Sequence, residues 1–242
     1  MTGTVLITGG SRGIGRATAL LAARDGWDVV LTYRRAAGEA AAVVGEIQSG
    51  DRRALAVQAD VASERDIVRA FEEATAFGGL AGVVINAGMV QTAMPLADMT
   101  ADRIARMFAI NTTGAYLTAR EAARRLPDGS SIVVTSSAAA RLGSPGEFVD
   151  YAGAKAALDT MIVGLSKELG SRGIRVNAVR PGLIETDIHA DGGNPDRARQ
   201  LADGVPLRRA GSAEEVAEAL VWLLSDKASY VTGAVLDVTG GR

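Results

Sequence analysis

Thr4-Val5-Leu6-Ile7-Thr8-Gly9-Gly10-Ser11-Arg12-Gly13-Ile14-Gly15 sets a short apolar run directly against a glycine-rich turn. A run of this kind, aliphatic without alternation, reads as a strand buried on both faces. Beyond the turn, Ile14, Ala17, Ala19, Leu20 and Leu21 recur at helical spacing, and Gly26-Trp27 ends that helix before a second apolar run, Val29-Val30-Leu31. The segment is the strand, helix and strand of a βαβ unit. Glycines at such a turn let main chain approach a diphosphate, and the helix N-terminus offers unpaired N–H groups and a partial positive charge. The spacing is T-G-x-x-x-G-x-G: counted as G-x-G-x-x-G from Gly13, the third glycine would fall at Thr18.

Working outward, the alternation continues. A helix is expected around Gly38 to Gln48 and a strand over Ala54 to Val57. Ser63, with Asp66 at the capping-box position, opens a further helix. Leu80 to Ile85 reads as a buried strand ending at Asn86-Ala87-Gly88, and a long helix from about Thr100 to Leu126 leads to strand Ile132 to Val134. Pro127 and Gly129 mark the break between them. A helix carrying Tyr151 and Lys155 runs to about Gly170, and strand Ile174 to Val179 is stopped by Pro181-Gly182. Ser212 and Glu215 form a capping box for the last helix, and a final strand lies near Ala234 to Asp237. Seven strands alternating with helices imply an α/β fold: a Rossmann-type, doubly wound, seven-stranded parallel sheet with helices on both faces. The strand pattern favours one domain over 1–242. The loosely patterned stretch Glu185 to Ala210, which carries the only histidine, His189, is expected to be a substrate lid at a strand's carboxyl end.

Composition narrows the chemistry. Apolar residues make up 48% with 4% aromatic, which suits helices packed closely on both faces of a parallel sheet. A net charge of −2 gives no global field favouring nucleic acid or an anionic membrane. Without cysteine there is no disulfide, thiolate nucleophile or cysteine-ligated metal. No apolar run is long enough to cross a bilayer and none precedes the first strand, so a soluble, cytoplasmic protein is expected. No G-x-S-x-G elbow is present, and one histidine with scattered carboxylates has no metal-ligand spacing; neither a Ser-His-Asp hydrolase nor a metal site is expected.

Tyr151 and Lys155 are four apart, which puts both side chains on one helix face. An ordinary tyrosine titrates near about 10, and each unit of downward shift corresponds to roughly 1.4 kcal/mol favouring the phenolate. A neighbouring ammonium can supply such a shift, so Tyr151 is a candidate general acid/base.

Thr8-Gly9…Gly13…Gly15, Asn86-Ala87-Gly88, Asn111, Ser137, Tyr151…Lys155 and Asn177…Pro181-Gly182…Thr186, in this order across essentially the whole chain, resemble the short-chain dehydrogenase/reductase family. The resemblance implies an oxidoreductase that interconverts a carbonyl and an alcohol by hydride transfer. Tyr151 is then similar to the family's catalytic acid, and Lys155 to the residue that lowers its pKa and holds the nicotinamide ribose. Ser137 would orient the carbonyl oxygen, with the adjacent Ser136 as the alternative. Asn111 resembles the residue whose side chain or local kink holds a water in a proton relay. Thr8, Gly9, Ser11, Arg12, Gly13, Ile14 and Gly15 would cradle the dinucleotide. Asp60 and Val61 would contact adenine, and Asn86, Ala87 and Gly88 would line the pocket. Pro181, Gly182, Ile184 and Thr186 would face the nicotinamide, Thr186 bonding its carboxamide.

Charge argues the cofactor. Relatives preferring NAD commonly carry an acid at the end of the second strand, whereas here Thr32-Tyr33-Arg34-Arg35 stands there and Arg12 lies in the turn. These cations suit a 2′-phosphate, so NADP(H) is expected over NAD(H). Several readings stay open: a 3-oxoacyl-carrier-protein reductase, for which Arg124, Arg125 and Arg172 would supply part of a docking surface; a sugar 1-dehydrogenase, with Glu147 as hydroxyl acceptor; and a silent NADP-binding sensor. The resemblance also implies a homotetramer, which the small residues Ala152, Ala156 and Ala157 permit.

Overall fold

Strand β1 (Thr4–Ile7) and helix α1 (Gly13–Arg24) lead the computed structural model, which describes residues 3–242. They are followed by β2 (Asp28–Tyr33), α2 (Ala37–Gln48), β3 (Ala54–Gln58), α3 (Glu64–Phe77) and β4 (Leu80–Ile85). α4 (Ala101–Phe108) and α5 (Gly114–Arg125) then precede β5 (Ser131–Thr135) and the short α6 (Ala139–Leu142). The long α7 (Val149–Leu169) leads to β6 (Arg175–Pro181), the single-turn α8 (Ile188–Asp191) and α9 (Arg197–Gln200), then α10 (Ala213–Leu224) and β7 (Val235–Val238). The strands form one sheet in the order β3-β2-β1-β4-β5-β6-β7, every pairing parallel.

Alternation along each strand divides the core. Leu6 joins Val83, Val134 and Val176 under α3, α5 and α7, while its neighbours Val5 and Ile7 join Val84, Val133 and Val179 under α1 and α10. Both faces are thus apolar, which is why these strands lack hydrophobic/polar alternation. Fully burying each such side chain contributes about 1.5–3 kcal/mol, and Leu6, Phe71, Ile132 and Ile162 are fully enclosed.

The capping boxes differ. Ser212 accepts the N–H of Glu215 while the Glu215 carboxylate accepts the N–H of Ser212, so α10 has the full reciprocal pair. At α3, Ser63 accepts the Asp66 N–H, but the Asp66 carboxylate turns to the N–H of Asp60, so only half of the expected box forms. The helix expected from Thr100 to Leu126 is also interrupted. Thr100 caps α4, and a π turn over Ala109–Thr113 separates α4 from α5. Apolar periodicity does not reveal a π turn, because both flanking helices bury residues at ordinary spacing.

Chain order reverses between β1 and β4, where β1 connects outward to β2 and β4 to β5. In doubly wound sheets ligands bind outside the carboxyl ends of the strands at this reversal. The glycine turn, Arg34, Asp60, Asn86, Ser137 and the 182–186 segment all follow strand carboxyl ends and so share that edge. Among the described residues no helix is long and apolar enough to cross a membrane.

Candidate active site

The first turn of α1 is built for close approach. Gly13 has φ +52°, a left-handed conformation that favours glycine, and a Cβ on Gly15 would stand 2.1 Å from the Gly9 carbonyl oxygen and 2.6 Å from Asn86 Nδ2. The N-cap, Arg12, has an extended backbone and gives no side-chain acceptor to the first turn, which also lacks an acidic residue. That end of α1 therefore presents donors to an anion. Two residues expected to touch cofactor also brace the cradle. Thr8 is buried, its Oγ1 accepting the N–H groups of Asn86 and Ala87, while Asn86 Nδ2 donates to the carbonyls of Thr8 and Gly9. Together they fix β1 against β4 at the reversal.

Arg34 and Arg35 are exposed beyond β2, and their guanidinium groups make no ion pair among the described residues. Arg12 is exposed too, but it pairs with Asp191 of α8 at 2.5 Å, linking the glycine turn to the 185–210 segment. Ser11 is buried in the turn, whose Gly9 N–H donates to Thr32 Oγ1. Asp60 is partly exposed, its Oδ1 accepting the Ala62 N–H, and Val61 is buried. Thr186 lies over the turn: a Cβ on Gly13 would stand 3.4 Å from its Cγ2. The Ile184 carbonyl, expected to face the nicotinamide, accepts from the His189 ring at 2.8 Å, and burial holds His189 below its usual range. An open helix N-terminus, unpaired cations past β2 and no carboxylate at that strand's end form a donor set that fits a phosphorylated dinucleotide.

Beside this groove, Ser137 and Tyr151 line a cavity of about 330 Å³. Val90, Leu142, Phe148, Leu183 and Ile188 give it apolar walls. Glu147 and Arg197 also line it, paired at 2.5 Å with the guanidinium stacked 5.5 Å above the Phe148 ring, and Arg242 stands at its rim. Ser137 Oγ accepts the Ala139 N–H and lies beside the Tyr151 phenol. Ser136 is turned away, its hydroxyl donating to Asp159 at 2.6 Å, so only Ser137 of the adjacent pair meets the cavity. Lys155 is buried, with Nζ donating to the Thr135 carbonyl at 2.8 Å and lying 5.8 Å from the centre of the Tyr151 ring.

Burial works against the expected lowering of the phenol's pKa. Burial pushes Tyr151 up, and the opposing hydrogen bond comes from Ser137. Burial pulls the Lys155 ammonium down to about 8, against the attraction of Asp159. With its midpoint at about 8 the Lys155 side chain is still mainly an ammonium at neutral pH, and it stands beside the Tyr151 ring, its hydrogen bond going to the Thr135 carbonyl.

Asn111 sits fully buried in the π turn. Its Oδ1 accepts the Met89 N–H, and its Nδ2 donates to the carbonyls of Met89 and Met107. A Cβ on Gly88 would stand 2.8 Å from Asn111 Oδ1 and 3.4 Å from Lys155 Nζ, so these three residues meet at one point. The Asn111 side chain is thus committed to holding the 88–89 turn. Sequence reasoning missed the buried ion pair between Arg103 Nε and Asp150 at 3.0 Å, in which Asp150 also accepts the Tyr151 N–H and anchors the first turn of α7. Pairing of residues 47 positions apart on two helices leaves no local pattern to find.

A doubly wound sheet that gathers an open helix N-terminus, a phenol and an ammonium along one edge has the architecture of a dinucleotide-dependent oxidoreductase. Residues 9–242 match the family described as Enoyl-(Acyl carrier protein) reductase. The uncharacterized oxidoreductase YgfF of Escherichia coli is 48% identical over 243 residues, covering 98% of each chain. L-rhamnose 1-dehydrogenase (NAD(P)(+)) of a Sphingomonas species is 40% identical, covering 98% of this chain and 95% of that one. Among solved structures, a short chain dehydrogenase from Burkholderia cenocepacia in complex with NADP superposes with a TM-score of 0.90 at 39% identity, covering 98% of this chain and 96% of that one. The chain belongs to the short-chain dehydrogenase/reductase family and is an enzyme of the dehydrogenase/reductase type.

Proposed function

We propose that the protein is an NADP(H)-dependent oxidoreductase that interconverts a ketone or aldehyde and an alcohol, with Tyr151 as general acid/base. The observation that carries this reading is the convergence of Ser137 and Tyr151 in the lining of one largely apolar cavity, with the Lys155 ammonium beside the Tyr151 ring. A bound nicotinamide supplies or accepts the hydride. Ser137 donates to the carbonyl oxygen and orients it, and Tyr151 gives that oxygen its proton. Lys155 stands beside the ring to balance the phenolate that proton transfer leaves, and the π turn around Asn111 would hold a water that passes a proton between Lys155 and solvent. Arg12, Arg34 and Arg35 would hold a 2′-phosphate, in keeping with the NADP-bound neighbour.

One observation favours a second reading within the same class, a sugar 1-dehydrogenase: the Glu147 carboxylate lines the cavity, and the rhamnose-oxidising relative is similar over its length. Delivery by an acidic carrier protein gains less support, because the basic residues expected for docking are already engaged by carboxylates of this chain. Arg124 and Arg125 both pair with Glu121, and Arg172 pairs with Asp128 while donating to the carbonyls of Ala123 and Leu126. We also place the chain in the cytoplasm as a homotetramer. The exposed Phe108, Tyr116 and Val163 on α4, α5 and α7 form a face that two-fold packing would cover.

The test is purified protein with NADPH or NADH against activated ketones, and with NADP or NAD against free sugars. Tyr151→Phe lowers kcat by about 10²-fold or more while dinucleotide binding persists. Dinucleotide binding without turnover, unaltered by Tyr151→Phe, would return the protein to the sensor class, and turnover that survives the substitution would remove Tyr151 from the acid/base role.

A further inference from the structure

Asp159 lies one turn beyond Lys155 on α7, and the mechanism above gives it no part. Its Oδ1 accepts the Ser136 hydroxyl at 2.6 Å, and its Oδ2 accepts Nε and Nη2 of Arg180 on β6, each at 2.9 Å. The carboxylate is 15% exposed and the guanidinium 20%, so this ion pair is mostly shielded from water. The same hydroxyl lies 3.3 Å from the Lys155 carbonyl, and Ser136 precedes the residue that faces the cavity, so the carboxylate on the lysine's helix also grips the serine's turn. Other charges around α7 are already matched. Arg103 of α4 is held by Asp150, and Arg141 of α6 is held by Asp237 of β7, which also meets Arg180 at 3.4 Å. From β5 Lys155 receives only the Thr135 carbonyl, and the π turn and α5 bring the uncharged Asn111 and Tyr116 to this helix.

We propose that Asp159 is a positioning residue: it holds Lys155 as an ammonium and, through Ser136, fixes the turn that presents Ser137, with Arg180 as the counter-charge that limits its field. The proposal rests on the catalytic reading of Lys155 only for its bearing on turnover. The coupling itself can be read without substrate or cofactor.

The chain has three lysines, Lys155, Lys167 and Lys227, and the last two are exposed. Protein labelled with lysine carrying ¹³C at Cε therefore gives three signals to follow against pH, assigned with Lys167→Arg and Lys227→Arg. Asp159→Asn removes the favourable charge and shifts the Lys155 midpoint down by at least about half a unit. Arg180→Gln frees the carboxylate's field and shifts it up by a similar amount, while Asp159→Glu stays near wild type. A midpoint that is unmoved in Asp159→Asn, or that moves the same way in Asp159→Asn and Arg180→Gln, overturns the proposal. If Asp159→Asn does not fold, the sign in Arg180→Gln decides alone. In turnover, the pH profile of kcat/KM moves with the NMR midpoint, and Asp159→Asn lowers kcat more than it raises KM. A midpoint that shifts while kcat and its pH profile do not would uphold the coupling and overturn the catalytic reading of Lys155.

Discussion

Asp150→Asn is the substitution whose cost the structure specifies most fully. Asp150 and Arg103 have side chains 1% and 6% exposed, and their ion pair at 3.0 Å joins α7 to α4. Arg103 also donates to the Thr92 carbonyl, while its Nη2 has no partner among the described residues, so the guanidinium leans heavily on the one carboxylate. Removing one partner of a buried pair leaves an uncompensated charge and costs about 3–5 kcal/mol. For a chain of this size each kcal/mol is worth about 2–4 °C, so melting should fall by roughly 6–20 °C. Replacing both partners with apolar residues, Arg103→Met with Asp150→Leu, removes the orphaned charge and should recover most of that loss. What stays lost is the Tyr151 N–H bond to Asp150, worth about 1 kcal/mol. Thermal melts by circular dichroism at fixed protein concentration measure all three proteins. Asp150→Asn melting within about 2 °C of wild type, or a double variant no better than the single, would refute the argument that the carboxylate is needed to balance a buried charge.

Two further outcomes are expected. Arg34→Ala with Arg35→Ala should weaken NADPH binding by about tenfold or more, the loss of a charge-assisted phosphate contact, with little change for NADH in parallel fluorescence titrations; equal losses would detach these arginines from the 2′-phosphate. Glu215 is held down to about 2 by Arg209 first and the Ser212 N–H second, so its stabilising effect is full above the ordinary glutamate range near about 4.3 and is lost as pH falls toward 2. Melting temperatures taken from pH 5 to 2 should therefore fall more steeply for wild type than for Glu215→Gln, and the difference should shrink in 1 M salt because the pair is exposed.

The sheet was legible because its signals are local: each strand is a short apolar run, and the turn after β1 declares its helix through glycine spacing. Site residues at strand ends were legible for the same reason, since topology alone carries them to one edge. What escaped depends on contacts distant in sequence. Ser136 and Ser137 look alike in the chain, and only Asp159, 23 residues on, turns one of them inward. Arg124, Arg125 and Arg172 read as a basic patch until Glu121 and Asp128 are seen beside them. The spacing of Tyr151 and Lys155 carries no sign of burial, which pushes the phenol up and the ammonium down.

The π turn at Ala109–Thr113 has a mechanical consequence. Each residue of an α-helix advances the azimuth by about 100°, and a wide turn accommodates one extra residue without ending the rod. Arg103 upstream can therefore look toward the start of α7 while Asn111 looks toward the loop after β4 and α5 goes on to pack against α3. Deleting a residue there would straighten the axis and swing one half out of phase, so that either the grip on Asp150 or the grip on Met89 would have to be given up.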